Sequence, residues 1–387
     1  MKFIHTADWH LGKLVQGVHM TEDQRFVLDQ LIKTIELERP DVLVIAGDLY
    51  DRAVPPTEAV RLLDDTLAKI VLDMNVPVIA VAGNHDSPGR LDFGSRALKS
   101  NGLHITGPIR AASEPVVLED VAGEVHFHLV PYTDPSMVRH VFEDPEIRTH
   151  DDAMRAITGR ISANMDPSAR HIFVGHAFVT PRGEQEDNTS DSERPLAIGG
   201  AEHVSAQHFK PFHYTALGHL HKAHYVLNET IRYSGSPLKY SISEEHHQKG
   251  FNVVNLAADG SVTVEKRLFQ AKRDMRSVEG TIAEVMQHSK SEDYVFVTLL
   301  DEAPVLYPME KVRSVYPNAM HVQRKTFVKE AGESTLGLRR KMDPMQLFHA
   351  FYEEVKGDKP TEETAELFGD VLQEFLQADS EREEVKP

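Results

Sequence analysis

Five short polar clusters, each directly after an apolar run of strand length, constrain this 387-residue chain more than any other feature. Asp8-Trp9-His10 follows Lys2–Thr6, Gly47-Asp48 follows residues 42–46, and Gly83-Asn84-His85-Asp86 follows residues 78–82. Gly175-His176 and Gly218-His219-Leu220-His221 end the later runs 172–175 and Tyr214–Gly218. Between the first three runs lie two amphipathic segments. One, residues 22–38, carries Leu28, Leu31, Ile32 and Ile35 on one helical face, with Thr21 and Gln24 read as a capping box. The other, capped near Thr57, carries Val60, Leu63, Leu67, Ile70 and Val71. The order βαβαβ predicts an α/β fold that opens on a parallel sheet. Ligands gather beyond the carboxyl ends of such strands, so all five clusters are expected on one rim. Glycine before four of them is expected to let the backbone turn sharply beside an ion.

The gathered side chains are metal-ligand types. Asp8, His10, Asp48, Asn84, His176, His219 and His221 supply four imidazoles, two carboxylates and an amide, a set suited to Mn2+, Fe2+ or Zn2+. The chain has no cysteine, which excludes thiolate sites and disulfides. Seven donors exceed what one ion takes alongside water. Two ions are therefore expected, ~3.5–4 Å apart and bridged by a carboxylate. Such a pair activates water near neutral pH and stabilises charge developing on a phosphoryl group. The chain has 22 histidines, and those outside the clusters are expected to be structural or surface groups. The net charge of −18 speaks against a nucleic-acid partner only weakly, because two divalent ions dominate the local field. No apolar run approaches the ~20 residues of a membrane span. No signal peptide precedes the first strand, so a cytoplasmic protein is expected.

Beyond residue 110 the pattern becomes strands joined by loops, at 125–130, 172–175, Tyr214–Gly218, 231–234 and 251–256. The aperiodic stretch 184–195 predicts an exposed loop. The expected organisation is a large domain over 1–272, a smaller α+β unit over 273–328 and a linker over 329–342. A helical segment over 343–378 and an acidic tail over 379–387 follow. The apolar stripes of that segment are Phe348, Phe351, Tyr352 and Val355, then Leu367, Phe368, Val371, Leu372, Phe375 and Leu376.

The ordered clusters resemble those of the calcineurin-like metallophosphoesterases. The surrounding text is similar to the SbcD family of bacterial exonuclease subunits, counterparts of the archaeal and eukaryotic break-repair nuclease. It comprises HTADWHLGK (5–13), GDLYD (47–51), GNHDSPGRL (83–91), SDSERP (190–195), ALGHLHK (216–222) and RYSGSPLKYS (232–241). The resemblance is strong over residues 1–270 and looser beyond. It implies a layered α/β/β/α core with a smaller capping domain and C-terminal helices. It also implies that Asp8, His10 and His221 hold one Mn2+, that Asn84, His176 and His219 hold the other, and that Asp48 bridges them. His85 is then the catalytic group facing the scissile phosphate, oriented by Asp86. Asp51 stands where archaeal and eukaryotic relatives often carry a histidine, and no catalytic role is assigned to it.

The implied activity is a double-strand DNA exonuclease and single-strand or hairpin endonuclease within an ATP-driven repair and recombination complex. The implied partner is an SbcC-type coiled-coil ATPase bound by the C-terminal helices, with a homodimer inside a heterotetramer. The alternatives are a small-molecule or cyclic-nucleotide phosphodiesterase with the same metal pair, and a non-catalytic scaffold. The extra domain and helices weigh against the first, and the complete ligand set against the second.

Overall fold

The computed structural model describes residues 1–112, 114–183, 190–191, 193, 203–325 and 343–383, without the side chains of Glu354 and 373–383. The first sheet has the spatial order Val262–Leu268, Gly250–Leu256, Lys2–Thr6, Val42–Ile45, Val78–Val81, Leu103–Thr106. Its last four strands are parallel, and the first two are added antiparallel. The second sheet has the order His224–Tyr225, Ile231–Tyr233, Tyr214–Gly218, Arg170–His176, Gly123–Val130, Val116–Asp120, with the middle four parallel.

The two sheets face each other across Phe3, Val44, Ile79 and Val81 on one side and Phe127, Ile172, Val174 and Tyr214 on the other. Helices Thr21–Glu38 and Thr57–Ala68 cover the outer face of the first sheet through Leu28, Leu31, Ile35 and Leu62. Helices Pro135–Phe142 and His150–Ala163 cover the second through Val138, Met154 and Ile157. This is the expected α/β/β/α layering. Strands buried on both faces explain why the central ones read as unbroken apolar runs.

Local details differ from expectation. Thr21 and Thr57 are the first residues of their helices, after Met20 and Pro56, and neither helix start carries a side-chain cap. Val60 is exposed, and Leu62 takes the buried position. A third sheet of parallel strands, Met275–Gly280, Tyr294–Leu299 and His321–Arg324, builds its own small core around Val278, Val295, Val297 and Val312. It docks on the main body through Met275, Tyr294 and Met320 against Met20, Val27 and Tyr240.

Residues 1–324 form one compact unit and 325–387 a second. In the second, helix Pro344–Lys356 is capped by Asp343 and ended by Gly357 at φ 80°. Phe348 stacks on Phe368 of helix Glu362–Glu383 at 4.0 Å between ring centres. Phe351, Val355, Leu367 and Val371 remain exposed. The expected linker 329–342, residues 384–387 of the tail, and the side chains of Phe375 and Leu376 lie outside the described residues. Among the described residues no helix is long and apolar enough to cross a membrane.

Candidate metal centre

The five clusters meet on one rim between the sheets. The Nε2 atoms of His10 and His221 lie 3.0 Å apart. His176 Nε2 lies 3.0 Å from Asn84 Oδ1 and 3.4 Å from Asp48 Oδ2. The same Asp48 oxygen is 3.6 Å from His10 Nε2, so it stands between the two histidine groups. Ligand atoms of Asp8, His10 and His221 lie within 4.8 Å of one another, as do those of Asp8, Asp48 and His176. His10, Asp51 and His85 form a third such group, and His219 is in none of the three. Its ring centre is 5.4 Å from that of His176, and its backbone N–H donates to Asp8 Oδ1 at 2.9 Å.

The outer nitrogen of each ring decides what the inner one offers. His176 Nδ1–H donates to the Ala46 carbonyl and His221 Nδ1–H to Glu244 Oε1, each at 3.0 Å, so both rings present an Nε2 lone pair inward. Burial lowers the pKa of His10, His219, His221 and His176, the last to about 4, which makes them neutral donors at pH 7. Burial, followed by the Asp48 charge, raises Asp8, and burial raises Asp48. Asp8 Oδ2 and His10 Nδ1 are buried with no hydrogen-bond partner. Neutral imidazoles converge on two buried carboxylates that, among the described residues, pair directly with no lysine or arginine, and one carboxylate has an orphaned oxygen; this suits bound cations.

The ligands themselves take the sharp turns. Asp8, His10, Asp48 and His219 have φ of 54°, 46°, 51° and 112°, a strained region that costs about 1–3 kcal/mol each. Of the four preceding glycines only Gly47 has positive φ, which corrects the expectation that glycines make the turns. They serve close packing instead. A Cβ on Gly218 would lie 1.9 Å from the Ala46 carbonyl oxygen, and one on Gly47 2.3 Å from His176 Nδ1.

Comparison with known proteins follows the same lines. Residues 1–223 match the family described as calcineurin-like phosphoesterase. The chain belongs to that family. Residues 271–356 match a second, SbcD_C, described as type 5 capsule protein repressor C-terminal domain. The SbcD subunit of the nuclease SbcCD from Staphylococcus epidermidis is 33% identical over 356 residues, 91% of this chain and 92% of that protein. A dimetal phosphatase structure from Danio rerio aligns with TM-score 0.40 and 12% identity, over 69% of this chain and 96% of its own.

In this metallophosphoesterase Asp86 does not touch the His85 ring as expected. Its carboxylate accepts the backbone N–H groups of Leu49 (3.1 Å), Tyr50 (2.9 Å) and Gly83 (2.9 Å), tying two ligand loops together. His85 Nδ1 lies instead 2.8 Å from the backbone carbonyl of Asp51, and its backbone N–H donates to Asp48 Oδ1. Asp51 thus meets the site through its main-chain carbonyl and through its carboxylate, which pairs with Lys13 at 2.8 Å and lies 3.7 Å from His10 Nδ1.

Three supporting residues were not recognised in the sequence. Gln24, read as a cap, is buried; its oxygen accepts the Gly12 N–H and its amide donates to the carbonyls of Trp9 and His10. Glu244, fully buried, holds His221 and is itself held by Lys249. Nothing in the spacing of the polar run 243–249 marks it out. Most of the stretch 184–195 lies outside the described residues, yet Glu193 within it is not an exposed loop residue, because it accepts the His221 N–H at 2.6 Å.

Proposed function

We propose that this phosphoesterase is a Mn2+-dependent DNA nuclease. It acts as a double-strand exonuclease and as an endonuclease on single strands and hairpins. The observation that carries the reading is the meeting of Asp8, His10, Asp48, Asn84, His176 and His221 on one rim, in a chain 33% identical to a nuclease subunit. Asp8, His10 and His221 would hold one ion, Asn84, His176 and His219 the other, and Asp48 would be shared by both. Mixed oxygen and imidazole donors without thiolate suit Mn2+. Bound ions neutralise phosphate charge and lower the pKa of attacking water.

The remaining work falls to the chain. His85 gives its Nδ1–H to the Asp51 carbonyl, so Nε2 is the atom that faces the substrate. In its protonated form that nitrogen donates to the leaving 3′ oxygen as general acid. The strained loops, fixed by Asp86 and Gln24, keep the donors in place before substrate arrives.

The proposed organisation is a nuclease domain over 1–272, a capping domain over 273–328, a linker over 329–342, a partner-binding segment over 343–378 and an acidic tail. The exposed apolar faces of the two C-terminal helices fit docking on an SbcC-type coiled-coil ATPase, within a heterotetramer built on a homodimer. A DNA substrate fits a cytoplasmic complex. The purified chain with Mn2+ is expected to shorten end-labelled linear duplex and to nick hairpin DNA, and Asp48→Ala to do neither. Turnover of a cyclic nucleotide far faster than DNA would overturn the choice of substrate.

A further inference from the structure

Two contacts of the same design run from the three-stranded unit to the ligands proposed for the first ion. Asp23 and Gln24 are neighbours in helix Thr21–Glu38. Asp23 accepts the Tyr294 hydroxyl at 2.9 Å and Arg273 Nη1 at 3.0 Å, both from the 273–324 segment. Gln24 beside it holds the Trp9 and His10 carbonyls at 3.2 and 2.7 Å.

On the other side, Glu244 and Glu245 are neighbours at the end of the 3-10 turn Ile242–Glu244. Successive side chains of such a turn point about 120° apart, so the two carboxylates face different partners. Glu245 accepts the Ser277 N–H of strand Met275–Gly280 at 2.8 Å, while Glu244 holds His221. Tyr240 stands between the two contacts. Its hydroxyl meets Gln24 and the Trp9 carbonyl, and its ring lies edge-on to His10 and His221, with centres 5.6 and 5.9 Å away. In each pair one residue docks the three-stranded unit and its neighbour holds an imidazole or its loop. Both imidazoles belong to the Asp8–His10–His221 group. His176 is backed instead by the Ala46 carbonyl in the first sheet.

We propose that docking of the three-stranded unit sets the metal affinity of the Asp8–His10–His221 group, with Gln24 and Glu244 as positioning residues. The inference rests on the metal assignment above. Partners behind a ligand imidazole change metal affinity by about 10–100-fold, because they fix its orientation and basicity. Coupling of this kind is reciprocal, so an ion in that group tightens the docking of the unit.

The test is calorimetric titration of the whole 387-residue chain with Mn2+, reading the two equivalents separately and without any nuclease assay. Glu244→Gln is expected to weaken one equivalent about 10–100-fold and leave the other unchanged. Glu244→Gln with Lys249→Met removes both buried charges, and it is expected to fold and to give at least the same loss, since Lys249 also donates to the His221 carbonyl. Glu245→Ala with Tyr294→Phe touches no ligand and no residue that holds one. It is expected to weaken the same equivalent about 5-fold or more. In the parent chain Mn2+ is expected to slow hydrogen exchange at the Ser277 amide, and an unchanged rate overturns the reciprocal tightening. Parent affinities for both equivalents in the Glu245/Tyr294 variant overturn the coupling. Parent affinities in the folded Glu244 variants overturn the positioning role. A parent chain that binds no Mn2+ overturns the metal assignment beneath both, so the failures are distinguishable.

Discussion

Replacing Asp86 with alanine separates two jobs that a carboxylate beside His85 can do. If Asp86 ties loops together, the change leaves the N–H groups of Leu49, Tyr50 and Gly83 without their acceptor. A buried donor left unsatisfied costs about 1–3 kcal/mol, and somewhat less at half-buried Tyr50, where water enters; the sum is about 3–6 kcal/mol. That is a large part of the roughly 5–15 kcal/mol by which folded chains are stable. At about 1–2 °C per kcal/mol for a chain of this size, the metal-free melting temperature falls by about 3–12 °C. Scanning calorimetry of the metal-free protein reads this directly. Asp86→Asn keeps one acceptor oxygen and is expected to fall between. His85→Ala is the contrast: it removes one half-buried hydrogen bond to the Asp51 carbonyl, and it is expected to lower stability by no more than about 1 kcal/mol and to abolish DNA cleavage. An Asp86→Ala protein with parent melting temperature and no nuclease activity would refute the reasoning, because the carboxylate would then act through the imidazole.

Other outcomes follow from the same contacts. Gly218→Ala puts a methyl 1.9 Å from the Ala46 oxygen and 2.9 Å from His176 Nδ1. Overpacking against main chain costs about 3 kcal/mol, and calorimetry is expected to show both lower melting and a weakened Mn2+ equivalent at His176. Arg170, at 2.6 Å, holds the Asp120 carboxyl well below the ordinary carboxylate range. The stability this contributes is fully present above the unfolded pKa of about 3.9 and is lost as pH falls below it. Asp120→Asn is therefore expected to be less stable than the parent at pH 7, with the gap closing towards pH 2 in melting scans. Phe351→Asp changes an exposed position of the C-terminal helices. Co-purification with the ATPase is expected to fail while the isolated chain keeps its nuclease activity.

What the sequence made legible divides along physical lines. The central strands and their ligands were readable because strands buried on both faces are unbroken apolar runs, and each ends in a polar cluster. The edge strands Leu103–Thr106, Val116–Asp120 and Val262–Leu268 were missed, since half-exposed strands mix polar and apolar residues without a bounded run. Thr21 and Gln24 have capping-box spacing, but a buried carbonyl-rich loop competes for the glutamine and takes it. Asp86 and Glu244 act on atoms 36 to 37 and 23 residues away, and no local spacing reports such a partner. The glycines were correctly tied to the site but for the wrong reason: close approach of neighbouring groups, not turning, explains three of the four.

The central claim is a pair of ions held by these seven side chains. Anomalous diffraction from Mn2+-soaked crystals tests it most directly. The account predicts two peaks ~3.5–4 Å apart, one among Asp8, His10 and His221, the other among Asn84, His176 and His219, with an Asp48 oxygen touching both. A single peak, or a pair lying away from Asp48, would contradict it.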